Sequence, residues 1–153
     1  MRGYFEIPEE GRFLIGTYAL RKLTKNYNCS PSELFNLASD GIESLSFTVL
    51  LLKYSRENAR LQANGQENFK EVTETEIEFI LDKIGVDEAI NRTIIDALCQ
   101  SISGKSLAEL EEEGRKKMQE EQQEIEEEEK KIGSITGAPS KKSDGAKESD
   151  LSN

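Results

Sequence analysis

From Phe5 to Ile15 apolar and polar positions alternate, with Phe5 and Ile7 before Pro8-Glu9-Glu10-Gly11 and Phe13 and Ile15 after it, which predicts a short β-hairpin. The period then lengthens to that of a helix. Thr17 opens a segment in which Leu20, Leu23 and Tyr27 share a face, and Lys25, Asn26 and Asn28 mark its end. Ser30-Pro31-Ser32-Glu33 joins a capping serine, a proline at the first helical position and a glutamate three residues after the cap. The helix it starts carries Leu34, Phe35, Leu37 and Ala38 and stops at Asp40-Gly41.

Between Ile42 and about Ala63, Leu45, Phe47, Val49, Leu50, Leu51, Leu52 and Tyr54 occupy more than one helical face, as a central helix surrounded on several sides requires. The polar run Arg56 to Arg60 predicts that its far end faces water, and Asn64-Gly65-Gln66 ends it. Thr73-Glu74-Thr75-Glu76 is a second capping box, followed by Ile77, Ile80, Leu81 and Ile84 and the stop at Gly85. Asp87 caps a further helix striped with Ile90, Ile94, Ile95, Leu98 and Ile102. The fold class is mainly α: a short N-terminal β-hairpin, a compact bundle of about five helices, then a charged helical to disordered C-terminal tail.

A third box, Ser106-Leu107-Ala108-Glu109, opens a segment of another kind. Ser106 to Ile132 holds 11 acidic against 5 basic residues, with acid-before-base pairs such as Glu111/Arg115 and Glu126/Lys130 at i, i+4. Met118, Ile125 and Ile132 recur every seven residues, but the companion heptad positions hold Gly114, Glu121 and Glu128, which favours a solvated charged helix over a coiled coil. The organisation read from this pattern is a globular domain over 1–105, an acidic helix over 106–132 and a disordered tail over 133–153. All ten aromatic residues lie at or before Phe79, so the core belongs to the first part. The apolar residues of the acidic helix, Leu107, Leu110, Met118 and Ile125, are the candidate partner-binding positions.

Histidine is absent, which removes the commonest general base, the imidazole metal ligand and every Ser-His or Cys-His nucleophile. No catalytic residue, metal site or cofactor is expected. Cys29 and Cys99 stand apart and read as reduced and buried. Gly104-Lys105-Ser106 imitates the end of a phosphate loop, yet the first glycine of that pattern falls on Cys99 and a helix rather than a strand precedes it. Gly41-Ile42-Glu43-Ser44-Leu45 resembles the serine site of acyl carrier proteins, but Glu43 stands where those carry Asp, and Ser44 reads as a helix-start residue. A net charge of −10 opposes nucleic-acid binding, for which Arg21, Lys22 and Lys25 form the only basic cluster of the folded part. Glu74, Glu76, Glu78 and Asp82 are explained by capping and solvation. The longest aliphatic run, Val49 to Leu52, is too short for a bilayer, so no membrane association is expected and the chain reads as cytosolic.

The order of elements resembles the tail assembly chaperones of long-tailed bacteriophages. The residues that carry the likeness are Ala19-Leu20-Arg21-Lys22-Leu23, Ser30-Pro31-Ser32-Glu33-Leu34, Leu51-Leu52-Lys53-Tyr54, Glu74-Thr75-Glu76-Ile77 and Ile95-Asp96-Ala97-Leu98, with the Glu/Lys-rich segment after Ser106. The resemblance covers roughly the first hundred residues. It implies a virus-encoded protein of the host cell cytoplasm, absent from the mature virion, that binds the tape-measure protein and keeps it soluble while tail-tube subunits assemble. The tape-measure protein and the tail-tube protein are then the expected partners, and self-association of the chain is a separate expectation. An acidic helical adaptor with an unrelated partner fits the same composition.

Overall fold

The structure, a computed structural model, describes residues 2–38 and 41–136. Strands β1 (Tyr4–Ile7) and β2 (Gly11–Leu14) pair antiparallel with Phe5 opposite Phe13, and these two rings stack at 5.2 Å on the inner face. The Glu10 N–H donates to the Ile7 carbonyl to close the turn, and Gly11 leaves it at φ +113, a left-handed-side conformation that side chains avoid. Alternation holds on β1, whereas β2 buries both Phe13 and Leu14. Before the hairpin, Gly3 sits at φ +78, and a Cβ there would run into the Ile15 carbonyl, whose own N–H donates to Gly3 O.

Helices α1 (Thr17–Tyr27), α2 (Leu34–Ala38), α3 (Gly41–Asn64), α4 (Glu74–Ile84) and α5 (Glu88–Ser103) follow. The proline-led start is a 3-10 turn, Pro31–Glu33, that runs into α2, with the Glu33 carboxylate accepting the Ser30 N–H at 2.7 Å. Thr73 Oγ1 accepts the Glu76 N–H and Asp87 Oδ1 accepts the Ile90 N–H, as their positions in the sequence predict. Of the Asp40-Gly41 stop that the sequence places after α2, Asp40 lies outside the described residues and Gly41 is the first residue of α3.

Helix α3 is the axis of the body and packs on β2, α1, α2 and α4. Phe47, Leu51 and Leu52 are fully buried against Phe13, Ile15, Leu23, Leu34, Val72, Ile77 and Leu98 from every other layer. A helix with several buried faces has no single apolar stripe, which is why its apolar positions run together in the sequence.

One expectation is overturned here. The run Arg56 to Arg60 does not face water: Ser55, Glu57 and Asn58 are buried, with Glu57 only 1% exposed, and Arg56, Ala59 and Arg60 are half-buried. Each buried polar group except the Ser55 hydroxyl finds a partner on a neighbouring element, so polarity at these positions marks contacts rather than solvent. Cys99 is buried, whereas Cys29 is half-exposed at the end of α1 and was expected inside.

The chain divides into two units, Met1–Leu110 and a second that begins at Glu111. Helix α6 (Leu107–Thr136) starts in the first, where the Leu107 N–H donates to Asp96 Oδ1 at 2.8 Å and Ser106 and Glu109 exchange both bonds of their capping box. Every residue from Glu111 to Gly133 is exposed. Helix continues through 133–136, within the segment expected to be disordered: it passes Gly133, and no proline occurs before Pro139. The rest of the expected tail, 137–153, lies outside the described residues.

Candidate functional site

Two features of α3 carry the chemistry of the body. The first is a polar anchor on its C-terminal half. The Glu57 carboxylate accepts from Lys53 Nζ at 2.8 Å, from the Tyr18 hydroxyl at 2.7 Å and from the Val72 N–H at 2.9 Å. These bonds join α3 to α1 and to the approach of α4. Burial pushes the Tyr18 phenol well up, and its hydrogen bond to Glu57 adds to the effect. Lys53 is pushed down by burial but pulled up more strongly by Glu57 and Glu71, so its ammonium is held above its ordinary value. One residue further on, Asn58 Oδ1 accepts from the Gly16 and Ala19 N–H groups at 3.0 and 3.1 Å, supplying the start of α1 with the cap that Gly16 cannot.

The anchor fixes α3 against α4, and between the N-terminal half of α3 and α4 lies the second feature, an open groove of about 330 Å³. Its floor is aliphatic: Leu45, Val49, Leu50, Leu81 and Val86. Leu45 is 52% exposed and Val86 46%, an unusual state for aliphatic side chains this close together. The rim on the α4 side is acidic. Glu74, Glu78 and Asp82 fall at i, i+4 and i+8, which stacks three carboxylates along one edge of the helix while Ile77, Ile80 and Leu81 face the core. Capping and solvation account for Glu74 and Glu76, but Glu78 and Asp82 border this groove.

Leu107 and Leu110 are half-buried in the first unit, where Leu107 lines a shallow hollow with Ala89, Arg92 and Asp96. Met118 is 70% exposed and Ile125 57% exposed in the second unit. The four candidates are thus two pairs of different exposure, one pair in each unit. The groove residues Leu45 and Leu50 escape sequence reasoning because they stand in the apolar run read as core, and Val86 because it lies between α4 and α5, outside any periodic element.

Ser44 lies inside α3, its carbonyl accepting from Thr48 Oγ1, and Gly104 is the left-handed C-cap of α5 at φ +79. Arg21 and Lys22 lie over the Tyr18 ring at 6.0 and 5.6 Å. Among the described residues no three Cys, Asp or Glu side chains are placed to hold a metal ion, and no helix is long and apolar enough to cross a membrane. Comparison with protein-family models, with curated proteins and with solved structures finds no match to this chain.

Proposed function

We propose that this protein is a tail assembly chaperone of the long-tailed bacteriophage type, which holds its client, the tape-measure protein, by seating an amphipathic client helix in the α3–α4 groove. The observation that carries the reading is the pairing of an aliphatic floor, exposed at Leu45 and Val86, with a row of three carboxylates. That surface selects a helix with apolar residues at i, i+3/i+4 and i+7 and lysine or arginine along one flank. A long helical tube-filling protein presents such faces repeatedly and aggregates when they are bare. The order of elements that resembles the phage chaperones supports the identity of the client. In this reading the chaperone works in the host cell cytoplasm, hands the client to tail-tube subunits and stays out of the mature virion. It needs no cofactor.

The test is co-expression with the tape-measure protein. The wild-type chain keeps the client in the soluble fraction and co-elutes with it by size exclusion. Leu45→Lys/Val86→Lys and Glu78→Lys/Asp82→Lys, all at exposed positions, abolish co-elution while leaving the urea midpoint of the chaperone unchanged. A client equally soluble without this chain would hand the assignment to the adaptor reading. A complex indifferent to both double variants would remove the groove from it.

A further inference from the structure

A second hollow, of the opposite charge, lies between the hairpin and the C-terminal half of α3. Two adjoining depressions of about 440 and 210 Å³ share Arg12, Ala59 and Ala63. Leu14, Ala59 and Ala63 supply an apolar floor, and Arg12, Arg56 and Arg60 surround it. Arg56 is held in place from behind, with NH1 donating to the Glu10 carbonyl at 2.6 Å and its guanidinium stacked on Phe13 at 5.2 Å. Arg60 reaches Glu76 at only 3.9 Å, and Glu6, opposite Arg12 in the hairpin register, receives the Tyr4 hydroxyl. Burial, and then repulsion from Arg60, push Arg56 down, against the pull of Glu76 and Glu10. Three arginines around one apolar depression in a chain of net charge −10 fit an acidic partner with an apolar side chain to bury.

The chain itself contains a segment of that description. From Met118 to Glu129, α6 carries seven glutamates and no basic residue. Met118, Glu121, Ile125, Glu128 and Ile132 fall on one face at alternating heptad spacings, and the three aliphatic side chains are 57–70% exposed. Two such stripes packed on each other bring glutamate against glutamate, whereas a solvated helix leaves Met118, Ile125 and Ile132 in water. A depression floored by alanines and ringed by arginines satisfies both halves of the pattern.

We propose that the Arg12/Arg56/Arg60 hollow receives the Glu121–Ile125–Glu128 face of α6 from a second copy of the chain. This goes beyond the client reading and uses a different face of the body. Reciprocal exchange closes a two-fold dimer, since each copy offers one hollow and one acidic helix. At about 150 mM salt the Debye length is about 8 Å, so repulsion between two acidic chains is screened while charges in contact keep most of their attraction.

Sedimentation of the full chain up to about 200 µM, a range that still detects weak association, gives a monomer–dimer equilibrium. Arg12→Glu/Arg60→Glu alone and Glu121→Lys/Glu128→Lys alone each raise the dissociation constant at least about tenfold, because like charges are then juxtaposed. Mixing the two variants restores the dimer, since only the mixed pair matches sign at both contacts. Arg56 is left intact because it also holds the hairpin turn. A wild-type chain monomeric throughout, or a dimer unmoved by either double variant, overturns the proposal. So does a mixture that fails to pair, the result expected if each α6 occupied the hollow of its own chain.

Discussion

Replacement of Glu57 tests the buried anchor most directly. Glu57→Gln preserves volume but exchanges a carboxylate for one carbonyl and an amide: Lys53 Nζ and the Val72 N–H, which share Oε2, keep the carbonyl, while Lys53 loses its counter-charge and the Tyr18 hydroxyl, which donates to Oε1, meets an amide donor. The Lys53 side chain is only 10% exposed and is left with Glu71 at 3.3 Å, itself 77% exposed. Removing one partner of a buried pair costs about 3–5 kcal/mol when nothing replaces it. The retained carbonyl and Glu71 bring the loss for Gln to about 2–3 kcal/mol. Glu57→Ala further strands the Val72 N–H and leaves a cavity, for a loss on the order of 4–6 kcal/mol. A domain of this size is stable by about 5–15 kcal/mol, so the alanine variant is close to unfolding and the glutamine variant is the measurable one. Urea unfolding is followed by far-UV circular dichroism for the backbone and by the near-UV tyrosine signal for the body. A cycle with Lys53→Met then returns a coupling of about 1–3 kcal/mol between residues 53 and 57. Variants of Glu57 that all fall within about 0.5 kcal/mol of wild type would put this carboxylate in water and return the far end of α3 to the solvent-facing position its sequence suggests.

Two further predictions separate core from surface. Leu51→Ala, at a position with no exposure, costs about 2–5 kcal/mol by urea midpoint, whereas Leu50→Ala, half-buried on the groove, costs less and weakens client co-elution instead. Equal losses for the two would make Leu50 core and close the groove. Glu33 and Glu109 titrate by NMR below the ordinary glutamate value, because each carboxylate accepts from the backbone N–H and then the hydroxyl of its capping serine, Ser30 or Ser106. With the folded value depressed, the caps are fully in force above the ordinary carboxylate range and are lost as pH falls through the folded value. Midpoints at or above the ordinary value would break the hydrogen-bond assignment.

What the sequence discloses of this fold divides by range. Caps at Thr73, Asp87 and Ser106 are legible because donor and acceptor are three residues apart, and the hairpin is legible because its turn and alternation are contiguous. Residues 55–58 mislead because their partners are remote: Tyr18 lies 39 residues before Glu57 and Val72 15 after it. A buried glutamate and a solvated one are spelled alike until the partner is placed. The groove fails for the converse reason, since Leu45 and Leu50 stand in a run of core residues and only the position of α4 leaves their outer side uncovered. Exposure of Met118 and Ile125 follows from the glutamates around them, whereas the hollow that matches their face gathers Arg12 from the hairpin with Arg56 and Arg60 from α3, more than 40 positions away.

The cap that Asn58 lends to α1 sets an order of events during synthesis. The Gly16 N–H waits for an acceptor 42 residues downstream, so α1 leaves the ribosome with the donors of its first turn unclaimed. At a translation rate of about 5–20 residues per second, the interval between Gly16 and Asn58 lasts about 2–8 s, far longer than the microseconds in which an 11-residue helix forms and melts. The hairpin and α1 therefore flicker as a nascent chain until the second half of α3 is made. The same residues that later join the layers, Glu57 and Asn58, arrive together, and their arrival makes the docking of α1 cooperative with the completion of the central helix.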